Sequence, residues 1–101
     1  MQQITVSDDE LNAALLALDL VRFKTVNDPV LDDNLKALQA SLLSRRPLRP
    51  AQMQMLGMTL DFAWRFLRGT VSVENVPAEL VSELRSNIFS LNSLLQKGKP
   101  K

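Results

Sequence analysis

The sequence has no cysteine, no histidine and no tyrosine, and its aromatics are four phenylalanines and one tryptophan in 101 residues. Without cysteine there is no disulfide framework and no thiolate nucleophile. Without histidine as well, the usual zinc sites and the commonest general base are gone. The Glu-x-x-His pattern of di-metal helical bundles is excluded on the same ground. Only three glycines occur, at 57, 69 and 98, each isolated, so no glycine-rich phosphate loop is present. No charge sign dominates, since the formal net charge is +1, and nothing in that balance points to a polyanion. Long hydrophobic runs are also missing. Asp19, Arg22, Asp61 and Arg65 interrupt the apolar stretches, so no segment is expected to span a membrane. Met1 to Val6 lacks the basic and apolar regions of a signal peptide, and the expected location is cytoplasmic.

What remains is an aliphatic chain. Hydrophobic residues make up 46%, mostly Leu, Ala, Val and Met. A chain of this length forms one domain and hides roughly 65% of its unfolded surface, enough for a core without staples.

Capping signals divide the chain into four helical segments. Ser7 and Glu10 form a capping box, Val6 and Leu11 occupy staple positions, and Asp8 and Asp9 suit the positive end of the dipole. This predicts a helix over about 8–24. Its polar stripe is narrow, limited to Asp8, Asn12, Asp19 and Arg22, so most of its sides are expected to be covered. Asp28 and Pro29 start a second helix over 29–45, with one apolar stripe at Leu31, Leu35, Leu38 and Leu42. Pro47 and Pro50 forbid its continuation. A third helix is predicted from Pro50 to Arg68, ahead of Gly69. Its polar sector of Gln54, Asp61, Arg65 and Arg68 spans only about 60°. The linker 70–75 alternates Val71 and Val73, a weak strand signature opposite Ile4 to Val6. The last helix is predicted over 77–97 on the seam Val81, Leu84, Ile88, Leu91 and Leu95, with a frayed basic tail at 98–101. The fold expected is all-α, a compact four-helix bundle or helical array with mostly antiparallel neighbours.

The carboxylate clusters lie in first helical turns, where caps and dipoles account for them. No serine sits in a nucleophile elbow. The expectation is a protein that is not an enzyme and uses no cofactor and no metal.

Two binding readings stand. The apolar surplus falls on the first and third helices, and on the third it leaves a stripe of Met55, Met58, Phe62 and Phe66 flanked by Arg65. Adaptable methionines, aromatic anchors and an arginine are the residue types of interface centres. This predicts a protein-interaction module, of adaptor, chaperone or inhibitor type, with either a second copy or another protein as partner. The alternative is a DNA-binding regulator. Residues 1–44 carry a formal −4 and residues 45–68 a formal +4, and Arg45, Arg46 and Arg49 form a basic patch suited to an anion or an acidic partner. Met53 to Thr59, followed by Arg65 and Arg68, resembles a degenerate helix-turn-helix with Gly57 as the turn glycine. Against that, Leu60, Asp61 and Trp64 would have to face DNA.

Overall fold

The computed structural model describes residues 7–98, and Val6 and Ile4 with their expected staple and strand roles lie outside that range, as does the tail at 99–101. Five helices make up the fold: α1 Asp8–Lys24, α2 Pro29–Leu43, α3 Pro50–Leu67, α4 Ala78–Ser86 and α5 Ile88–Gly98. No strand occurs among the described residues.

Local chemistry sets most of the helix ends. At α1, the Glu10 N–H donates to Ser7 Oγ at 3.1 Å and the Ser7 N–H donates to Glu10 Oε1 at 3.0 Å, completing the capping box. At α2, Asp28 Oδ1 accepts the Leu31 N–H at 3.1 Å, with Pro29 in the first helical position. That helix stops two residues earlier than predicted. Arg45 takes a left-handed φ of 53°, its N–H donates to the Leu42 carbonyl, and the Arg46 N–H donates to the Ser41 carbonyl. This is a Schellman cap built on an arginine. The end of α3 repeats it with Gly69 at φ 83°, the Gly69 N–H donating to Phe66 and the Thr70 N–H to Arg65.

The predicted last helix is two helices. The break falls at Asn87, where φ is −106° and Nδ2 donates to the Glu83 carbonyl at 2.8 Å. A short polar side chain that satisfies the carbonyl four residues back competes with the helical ladder, which accounts for the break.

Helix α1 is central and packs against each of the other four. Ala13, Ala14 and Ala17 are fully or almost fully buried there, and small side chains let neighbouring helices approach closely on several sides. Two ion pairs fix α2 antiparallel to α1: Arg22–Asp32 at 3.0 Å at one end and Arg45–Asp8 at 2.6 Å at the other. Helix α3 packs on α1, α4 and α5. Helix α5 runs back toward the start of α1, where Ser93 Oγ and Lys97 Nζ donate to the Glu10 carboxylate, each at 2.7 Å.

The fully buried core is aliphatic. It consists of leucines and alanines, among them Leu18, Leu20, Leu35, Leu38, Leu56, Leu60, Leu84, Leu91 and Leu94. The tryptophan and the phenylalanines Phe62 and Phe66 pack against it from its edge.

Candidate functional site

Helix α3 runs unbroken through Gly57, so the turn required by a helix-turn-helix is not there. The DNA-reading element expected around Gly57 is corrected to one continuous helix. A Cβ on Gly57 would meet nothing within 4 Å, so no neighbouring helix approaches α3 closely there.

The stripe predicted as an interaction face is divided by the fold. Met58 stands free at 67% exposure, whereas Met55, Phe62 and Phe66 are half-buried against the core. Arg65 is exposed and ion-paired to Asp61 at 3.0 Å, one turn back on the same helix. Lys24 places its ammonium 4.8 Å from the centre of the Phe62 ring, within cation–π range. The apolar surplus left outside therefore lies largely elsewhere.

The basic loop is anchored by a buried leucine and a capping hydrogen bond. Leu48 is buried in the core between the arginines, and the Arg49 N–H donates to Gln52 Oε1 at 3.1 Å as α3 begins. Leu48 and Met53 occupy the two positions of a hydrophobic staple. Arg45 is committed to Asp8. The side chains of Arg46 and Arg49 are exposed.

Most of the exposed apolar groups lie at two places, a corner with four of them and a lone phenylalanine. The first is the corner between α1 and α2. Val26 and Val30 are 74% and 71% exposed there, with Phe23 and Leu31 beside them in the chain. This corner opens into a cleft of about 780 Å³ between α1, the start of α2, the loop around Asn75 and α4. Leu16, Phe23, Val26, Pro77 and Leu80 provide its apolar lining, and Asp19, Asp32, Glu79 and Glu83 its acidic groups. Asn75 holds a left-handed φ of 62° at its edge. Arg22 is engaged with Asp32, and its hydrogen bond, aided by Lys36, holds that carboxyl below the usual carboxylate range. Asp19 moves the other way. Burial pushes its carboxyl up, and the Arg22 charge offsets this only in part.

The second place is on α5. Phe89 is 87% exposed, more than any other large apolar residue among those described. Asn92 and Gln96 follow it at three and seven residues, on the same helix face. Those two line a groove of about 630 Å³ with Trp64, Val71 and Leu95, with Asp61 and Arg65 of α3 and with Arg68 at its C-cap. This surface holds the Arg65–Asp61 pair and Arg68 around Trp64, where the cleft is acidic and apolar.

Among the described residues no group of carboxylates is arranged to hold a metal ion, and no buried side-chain polar atom lacks a hydrogen-bond partner. No helix among them is long and apolar enough to cross a membrane. No family model matches the chain, and no curated protein or solved structure matches it significantly.

Proposed function

We propose that this chain is a small helical protein-interaction module that acts by binding, not by chemistry, and that it associates with itself as a homodimer. The observation that carries the reading is the exposed apolar surface. Phe89, Val26, Val30 and Met58 are each about two-thirds bare or more. Single exposed apolar residues are ordinary, but an apolar corner that opens into an apolar cleft is the usual mark of a contact surface. The residue types agree, since phenylalanine, tryptophan, methionine and arginine are enriched at interface centres. Covering one surface with a second copy is the simplest way for a single chain to meet this need.

Sedimentation velocity from micromolar to near-millimolar concentration tests the reading. A sedimentation coefficient that rises with concentration toward the dimer value is expected. A monomer across the whole range would sink the self-association.

A further inference from the structure

Resting on the self-association proposed above, we infer that the exposed Phe89 of one copy seats in the acidic-rimmed cleft between α1 and α4 of another, an aromatic knob in an apolar socket.

The knob is a phenylalanine ring standing almost free of its own molecule. Along its helix face Asn92 and Gln96 follow it. Arg85 lies four residues earlier and is exposed, and Arg68 lies on the groove shared with Asn92 and Gln96. Neither arginine has an ion-pair partner among the described residues. The socket offers the reverse. Its apolar lining of Leu16, Phe23, Val26 and Leu80 suits a ring, and its volume of about 780 Å³ far exceeds one phenylalanine side chain. Glu79 and Glu83 rim it without ion-pair partners among the described residues, and Asp19 feels Arg22 of the same lining without forming an ion pair with it. Asp19 is partly desolvated already, so an incoming guanidinium would gain more there than at a fully wet carboxylate.

Charge complementarity selects the occupant. Glu79 and Glu83 of the socket have no ion-pair partner among the described residues, and neither do Arg85, four residues before the knob, and Arg68, on the groove beyond Asn92; all four are on the same chain. Potentials of opposite sign guide two patches together and fix their register. Knob and socket are different surfaces, so one contact is heterologous. A twofold axis that exchanges them reciprocally closes a dimer with two such contacts.

Complementation between two variants tests this. Phe89→Ser removes the knob and keeps the socket, while Val26→Asp spoils the socket and keeps the knob. Both positions are exposed, so circular dichroism of each variant should match the parent chain. In sedimentation equilibrium each variant alone should associate about tenfold or more weakly than the parent. Mixing them should restore a heterodimer through the one intact knob and the one intact socket. Glu79→Gln combined with Glu83→Gln should weaken the parent assembly and flatten its salt dependence. If the parent chain is monomeric throughout, both this inference and the self-association fail. If the parent chain associates and Phe89→Ser associates equally well, or the mixture does not assemble, the knob and socket fail while self-association stands. A parent chain that stays monomeric but is held by an unrelated basic protein through the cleft would likewise overturn the second-copy assignment.

Discussion

The carboxylate of Glu10 accepts hydrogen bonds from the Ser7 N–H, the Ser93 hydroxyl and the Lys97 ammonium, and the residue is only 6% exposed. A side chain that caps its own helix thus also ties the start of α1 to the second half of α5. The Lys97 hydrogen bond, followed by that from Ser7, brings its pKa from 4.5 down to about 2, against the opposing effect of burial. Because the folded pKa is depressed, its stabilisation is present above the unfolded value near 4.5 and is lost as pH falls toward about 2. After allowing for the solvent-exposed end of Lys97, the contribution is about 2 kcal/mol. Urea unfolding followed from pH 6 to pH 2 should show this loss, and Glu10→Gln should be less stable at pH 6 and have a flatter pH profile. An unchanged profile in the variant would mean that other carboxylates govern the acid limb. Only half of this role is visible in the sequence. The spacing of Ser7 and Glu10 marks the cap, but nothing local connects Glu10 to Ser93 and Lys97, more than eighty residues away.

Two glycines, one inside α3 and one just past its end, make opposite demands. Gly57 lies inside α3 with open space where a Cβ would stand, whereas Gly69 ends that helix at a φ of 83°. Gly57→Ala is expected to stabilise the protein by about 1 kcal/mol, because alanine loses less backbone entropy in a helix. Gly69→Ala is expected to cost about 1 kcal/mol through the left-handed strain. Each would move the thermal midpoint by about 4–8 °C in opposite directions. A destabilising Gly57→Ala would show that something packs on α3 at that turn. The limits of α1, α2 and α3 were legible within two residues because Ser7, Asp28, Pro29, Pro50 and Gly69 act locally. The break at Asn87 was not. The apolar seam from Val81 to Leu95 keeps one period across it, and periodicity is blind to a side chain that bonds its own backbone. Leu48 was missed for a related reason: a single leucine among arginines and prolines reads as loop, and only the approach of the other helices gives it a core to enter.

Across the whole molecule, α1 is the shared support and α2 the least supported element. Among helix pairs in substantial contact, α2 meets α1 alone, whereas α3 also meets α4 and α5. Local opening free energies follow the contacts that must be broken. Hydrogen exchange should therefore show amides of α2 opening at lower free energy than those of α1 and α3, and equal protection in all three would contradict this. By itself, the sequence determined the helical class, the position of most helix ends and the breadth of cover on α1. Caps, prolines and apolar spacing act over one or two turns, and a helix with a four-residue polar stripe cannot lie on a surface. Tertiary packing decided which apolar residues remain outside. Met55, Phe62 and Phe66 carry the same interface-like pattern as before folding, yet the fold brings them against the core and leaves Phe89, Val26 and Val30 bare. The physical reason is that exposure depends on which helix faces which. The acidic cleft is likewise assembled from residues of α1, α2, α4 and the loop at Asn75, which no local spacing relates.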